Sequence, residues 1–418
     1  MVCSGALTIR GGGKLYIRAK GADGVVVKEL TAADIEFDVE AVYNGVRNSE
    51  IDGIQAAGGE GNAAVTLTNC TGSIKGGARG IDVKGANAKV ELQACRNLSV
   101  TGAKASSGSV NFYWSGIRVL SNVTGEHLAE IKIENCQDVT VTGGTAIAMD
   151  AKLNDHNEKV NTPVSLKIKN SSVMIDGYSG PYAAVFLNND SRDTDGAGDG
   201  IVEIDGSDVT ISNPIGLGIM TSVHGDDTDA MVKLTNSQLK FIAQMGVKSQ
   251  DSGSNATAGI DMENSIIRME LATDLSLIVV PKGAADNPPL ADEDRKGLLV
   301  LITPTQNTVT LYEDITIAQD YEFPEKARFI NANNYGLNVE PGVTLKIAGK
   351  NYYFPNGGRL IINADGMVQV IMADDASLGS MPETGDDSRL MLWLCLLTAS
   401  AAILAAAVRR KEDIVDFR

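Results

Sequence analysis

Val65-Thr66-Leu67-Thr68-Asn69-Cys70, Val90-Glu91-Leu92-Gln93-Ala94-Cys95, Ile131-Lys132-Ile133-Glu134-Asn135-Cys136 and Leu166-Lys167-Ile168-Lys169-Asn170-Ser171 are four copies of one pattern. Three more are Val202-Glu-Ile-Asp-Gly206-Ser207, Val232-Lys-Leu-Thr-Asn236-Ser237 and Ile260-Asp-Met-Glu-Asn264-Ser265. Each alternates apolar and polar residues, which sends one set of side chains inward and the other to solvent along a strand. A second short alternating run comes after most copies, as at Leu98/Val100, Val139/Val141, Val173/Ile175, Val209/Ile211 and Leu239/Phe241. A third opens on glycine and isoleucine, as at Gly80-Ile81, Gly116-Ile117 and Gly218-Ile219.

Counted from Cys70, successive copies are spaced by 25, 41, 35, 36, 30 and 28 residues. A unit of three short strands has no means of burying its inner face alone, but stacking units about 4.8 Å apart pairs each strand with its equivalents above and below. The expected fold is all-β, a parallel β-helix over residues 1–280. Unit length varies because insertions sit at corners between strands and project outward. Leu7/Ile9, Leu15/Ile17, Val25/Val27 and Ile35/Phe37 fit earlier, more degenerate turns. The asparagines at 69, 135, 170, 236 and 264 are expected to stack their amides at one corner. Cys70, Cys95 and Cys136 take one equivalent position, an inward column of small residues, and spacing alone leaves a Cys70–Cys95 disulfide open.

Residues 281–297, with Pro288-Pro289 and seven charged residues, read as a linker. Residues 298–372 carry a further set of alternating strands between turns such as Glu340-Pro341-Gly342 and Asn356-Gly357-Gly358. They form either a small separate β module or a continuation of the coil. Residues 373–384 read as a stalk.

The end of the chain is an address. Met381-Pro382-Glu383-Thr384-Gly385 precedes an uncharged run, 390–408, and then Arg409-Arg410-Lys411. Nineteen helical residues span roughly 28 Å, enough to cross the hydrocarbon layer once. The basic triplet keeps its end of the run cytoplasmic and places the preceding chain outside. Residues 381–418 resemble the Leu-Pro-x-Thr-Gly cell-wall sorting signals of Gram-positive surface proteins, departing in Met381 for Leu and in the long tail 412–418. The resemblance implies that a sortase attacks the Thr384 carbonyl and transfers the protein to a peptidoglycan amine, with Met381, Pro382, Glu383 and Gly385 as recognition positions. It implies a protein at the cell surface, covalently attached to the cell wall after export. Residues 1–14 hold no apolar stretch suited to an export signal, so the chain is expected to start downstream of one.

The coil resembles the right-handed parallel β-helix superfamily that includes pectate lyases, polygalacturonases and many bacterial adhesins. That resemblance is architectural and brings no catalytic motif. The formal charge of −17 disfavours nucleic acid as a partner. Three sets of candidate residues stand out. Asp193, Asp195 and Asp199 are candidate calcium ligands, since closely spaced carboxylates can wrap a hard cation. Asp195 with His224, Asp226 and Asp227 is the candidate catalytic set, because glycan hydrolysis needs two carboxyls. Tyr113, Trp114, Tyr178 and Tyr182 are candidate aromatic platforms for a ligand. The sequence favours a wall-anchored adhesin or ligand-presenting protein without catalysis, in contact with extracellular or host glycans or proteins. An anchored polysaccharide lyase or glycoside hydrolase, and a passive spacer, are the alternatives.

Overall fold

The computed structural model describes residues 1–42, 51–103, 114–121, 128–151, 163–178, 183–189, 198–223, 229–251, 257–271, 278–279, 296–363 and 366–373. Among them there is no helix, and hence none long and apolar enough to cross a membrane. The run 390–408 and the sorting signal lie outside the described residues. Residues 1–372 form one compact unit and 373–418 a second, of which Ala373 alone is described.

Most of the first unit is a single sheet of 26 strands, parallel in every described pairing but one. From Asp52 onward each strand pairs in register with the strand one repeat later. Asp52–Ala57 lies against Arg79–Gly85, which lies against Ser115–Ser121, then Thr145–Ala151 and Ala183–Asn189. A second column runs from Ala63–Thr68 through Ala88–Gln93, Ala129–Glu134 and Val164–Lys169 to Gly200–Asp205, Asp229–Thr235 and Thr257–Glu263. The third runs from Thr71–Lys75 through Leu98–Thr101, Val139–Gly143 and Ser172–Gly177 to 208–213, 238–243, Ile266–Leu271 and Leu298–Ile302. A chain that visits three columns in rotation is wound as a β-helix-like coil. We call the columns faces A, B and C, and number the turns from 1–20, 25–42, 52–75, 79–101 and 115–143 to 145–177, 183–213, 217–243 and 245–271.

Alternation makes this winding stable. Val65/Leu67, Val90/Leu92, Ile131/Ile133 and Leu166/Ile168 stack inward with at most 1% of their surface exposed. Each such side chain contributes about 1.5–3 kcal/mol by leaving water. The first two turns belong to the same coil, Ala6–Lys20 lying parallel to Glu29–Val42.

The B–C corner is held by backbone shape. Asn69, Ala94, Asn135, Asn170, Asn236 and Asn264 all have φ between 44° and 54°, and Gly206 has φ 57°. This left-handed conformation bends the chain from face B to face C, and asparagine and glycine adopt it at least cost. The expected amide ladder forms where asparagines are adjacent. Asn170 Nδ2 donates to Asn135 Oδ1 at 3.4 Å and Asn264 Nδ2 to Asn236 Oδ1 at 2.8 Å. Ala94 and Gly206 interrupt it.

The next position is polar in use. Cys70, Cys95 and Cys136 are free thiols, buried, each donating to carbonyls such as Thr68 O at 3.3 Å, Leu67 O at 3.4 Å and Glu134 O at 3.3 Å. Ser171, Ser207, Ser237 and Ser265 continue the column. Each serine hydroxyl accepts from the backbone N–H one turn earlier, at 3.0–3.1 Å, and donates to the carbonyl two residues before it. The cysteines are thus serine equivalents as well as small fillers.

The glycines that open face A mark a tight C–A corner. A Cβ on Gly80 would stand 2.7 Å from both Gly116 O and Val100 Cγ1, and Gly53 and Gly116 are equally confined. From Leu298 the pattern changes. Leu299 and Leu301 pack on the coil's core, while Leu298 and Val300 belong to a second core. A strand buried on both sides has no polar alternation to show. Leu298–Ile302 pairs antiparallel with Asn307–Leu311, and a four-stranded and a three-stranded sheet complete the unit over 315–372.

Candidate functional site

Connection lengths differ sharply among the three corners. From Ala63 on, the B–C corner always takes two or four residues. The A–B connections range from two (86–87) to twelve (152–163), and the C–A connections from one (Gly144) to thirteen (102–114). All variable connections therefore flank face A in the element order. Every candidate from the sequence lies at one of those two corners. Asp193, Asp195 and Asp199 fall in the A–B connection of the seventh turn, and His224, Asp226 and Asp227 in that of the eighth. Tyr113 and Trp114 precede the face A strand of the fifth turn, Tyr178 and Tyr182 that of the seventh.

Three of these residues are described, the rest lying outside the described residues. Asp199 Oδ1 accepts the Asp229 N–H at 3.0 Å, so one oxygen of that carboxylate ties consecutive turns together. The Trp114 carbonyl accepts from Thr145 N at 3.2 Å, and Tyr178 N donates to Gly143 O at 3.0 Å. Both aromatic residues thus flank the one-residue turn at Gly144, one turn before and one after it. Tyr178 is 37% exposed, and its hydrogen bond to Asp176 holds its hydroxyl pKa above the ordinary tyrosine value. Among the described residues no group of three His, Cys, Asp or Glu could hold a metal ion.

Face A also carries a feature the candidate residues omitted. Arg79 Nε and Nη2 donate to Asp52 Oδ1 and Oδ2 at 2.7 and 3.2 Å, and Arg118 Nε and Nη2 to Asp82 Oδ1 and Oδ2 at 2.7 and 3.1 Å. Arg79 Nε stands 3.6 Å from Asp82 Oδ2, and Lys84 Nζ 3.2 Å from the same oxygen. Asp23 extends the row by accepting the Asp52 N–H at 2.8 Å. Asp52, Arg79 and Asp82 are fully buried and Arg118 is 6% exposed. The partners face each other because register sets Asp52 opposite Arg79 and Asp82 opposite Arg118.

Burial, with the Asp82 charge next in weight, pushes the Asp52 carboxyl up to about 6 against the pull of Arg79. Burial also acts to raise Asp82, but the Arg118 bond and the charges of Arg118, Arg79 and Lys84 outweigh it and hold that group below the usual carboxylate range. A buried row of this kind fixes registry more surely than it adds stability. A signal was present in the sequence: Gly80-Ile-Asp82 and Gly116-Ile-Arg118 put opposite charges at one repeat position.

Face B offers a contrast. Its outward residues alternate in sign, with Glu130 between Lys132 and Lys167 at 3.0 and 3.2 Å and Lys169 3.5 Å from Asp205. That surface is self-neutralising, with its lysines partly in solvent and Glu130 buried beneath them. No family model, curated protein or solved structure matches this chain.

Proposed function

We propose that this is an exported, wall-anchored surface protein whose right-handed parallel β-helix presents face A and its flanking connections to an external ligand, without catalysis. One observation carries the reading: connection length varies at the two corners beside face A and stays nearly fixed at the third. Selection for binding acts where the backbone is free to change, and a rigid coil supplies the platform. Right-handedness follows from the general preference of parallel crossovers. Trp114 and Tyr178, two turns apart on one rim, supply rings for stacking.

The anchor half of the proposal rests on Met381 to Gly385, the apolar run 390–408 and the basic triplet. Sortase and peptidoglycan are then the partners at Thr384. A Thr384→Ala variant expressed in a sortase-bearing Gram-positive host tests it: the protein moves from the wall fraction to the membrane fraction. Unchanged wall attachment refutes the anchor. For the ligand half, cells displaying the wild type adhere to host glycans or matrix proteins, and cells displaying Trp114→Ala with Tyr178→Ala adhere less. Equal adherence refutes the contact rim.

A catalytic reading has one specific support, the acidic connections of the seventh and eighth turns leaving one corner in succession. Turnover of a polysaccharide by wild type, lost in Asp195→Ala with Asp227→Ala, would establish it in place of adhesion.

A further inference from the structure

A polar groove lies away from face A, along the B–C corner. It occupies about 660 Å³ between the fifth to ninth turns and the chain at 316–319 and Glu340. Gln137, Asn170, Asn236 and Gln319 are exposed along it. A second pocket of about 330 Å³ shares Asp208, Gln238 and Ile266 with the groove and prolongs it to Tyr321. Tyr321 is only 8% exposed, and Arg268, which is near enough to donate to its oxygen, offers no acceptor for its O–H. Desolvation raises its pKa to about 12 against the pull of the nearby Arg268 charge, so at neutral pH it is an O–H ready to donate. Leaving such a donor unmatched in a desolvated place is unfavourable, and a ligand oxygen would offset that cost.

The chemistry of the walls narrows the ligand. Each amide offers both a donor and an acceptor, the complement of a hydroxyl. Lys240 and Arg268 at the pocket are engaged by Glu270 at 3.0 and 2.9 Å, and Arg268 Nη1 also donates to Glu322 O at 2.7 Å. No cation cluster is left over among the described residues of the pocket for a phosphate backbone. A peptide would need pockets for its side chains, and the apolar lining is confined to residues such as Ile266, Ile317 and Ala318. The turns repeat every ~4.8 Å, close to the advance of one sugar unit in an extended chain.

We infer that the groove binds an uncharged oligosaccharide lying along the coil axis, hydrogen-bonded by the corner amides and ending against the Tyr321 hydroxyl. The site is separate from face A and does not depend on the role proposed for it.

The test uses the full chain in detergent micelles, titrated calorimetrically with glucose and N-acetylglucosamine β-linked oligomers, a galacturonic acid oligomer and a Gly-Ser peptide. At least one neutral oligomer binds saturably, and the acidic oligomer and peptide do not. Gln137→Ala with Gln238→Ala weakens binding about tenfold, the loss expected of two hydrogen bonds. Tyr321→Phe weakens it several-fold while leaving the thermal midpoint unchanged or raised, which separates a ligand contact from a structural one. Absence of neutral-oligomer binding, equal binding of the acidic oligomer, or affinity unmoved by the glutamine and tyrosine variants overturns the inference.

Discussion

Ala94 sits at the B–C corner with φ 52°, between Asn69 on the turn below and Asn135 on the turn above. An L-residue without a helpful side chain loses about 1–2 kcal/mol in this conformation, and asparagine loses less. Where the ladder is intact, each amide donates to its neighbour, as Asn264 does to Asn236 at 2.8 Å. Ala94→Asn therefore relieves about 1 kcal/mol of backbone cost and adds two exposed amide bonds worth about 0.5 kcal/mol each. The total gain is about 2 kcal/mol. With a denaturant slope of about 3 kcal/mol/M or more, the urea midpoint rises by at most about 0.7 M, read by far-ultraviolet circular dichroism. Ala94→Gly separates the two parts. Glycine relieves φ, but it frees the unfolded chain by about 0.4–1 kcal/mol and comes out near neutral. The difference between the two variants is then the ladder together with glycine's unfolded-state cost of about 0.4–1 kcal/mol. A midpoint for Ala94→Asn equal to or below that of the wild type, at unchanged slope, would refute this account of the corner.

Other substitutions test other columns. Gly80→Ala places a Cβ 2.7 Å from Gly116 O and Val100 Cγ1, and is expected to destabilise by about 1–3 kcal/mol in the same denaturation assay. Cys95→Ser keeps the column's hydrogen-bond pattern and is expected to shift the midpoint by less than half as much as Ser237→Val, which strands the Ser207 N–H and costs about 1–3 kcal/mol. Arg79→Leu leaves Asp52 and Asp82 buried without their shared cation and should cost about 3–5 kcal/mol, measured against Arg79→Leu combined with Asp52→Leu, which recovers part of it. For pH, Asp52 binds its proton more tightly folded than unfolded. Its contribution is complete below the unfolded value of about 3.9 and is lost as pH rises through about 6. Asp52→Asn should flatten that part of the stability profile between about pH 4 and 6.5; an unchanged profile would show that the Arg79 pair keeps Asp52 ionised throughout.

The coil was legible because its cause is local and repeated. Alternation at period two in Val65/Leu67 and its copies dictates strands with one buried side, and a recurrence of some 25 to 41 residues dictates that they stack. The asparagine column was legible as a column, but its main reason was not. Amide stacking accounts for the pairs 135/170 and 236/264, whereas the left-handed φ accounts for all of them and for Gly206. The cysteine position was legible as small and inward, yet part of its hydrogen bonding reaches the turn below, as Cys95 Sγ does to Leu67 O and Cys136 Sγ to Leu92 O, and no single repeat contains both partners.

What the sequence determined, then, is everything set by the backbone period of one repeat: strand, alternation, corner residue and the order of three faces. What only the tertiary structure decided is which residues from different turns meet. Opposing Asp52 to Arg79 and Asp82 to Arg118 requires the register between turns, and register depends on how each connection of one to thirteen residues returns the chain to its column. The groove at the B–C corner likewise exists because residues 316–319, some fifty positions beyond Asn264, fold back beside it, Thr316 N donating to Asn264 Oδ1 at 2.8 Å. Contacts between distant segments rest on the summed burial of a whole core, and that sum is not written in any one stretch of chain.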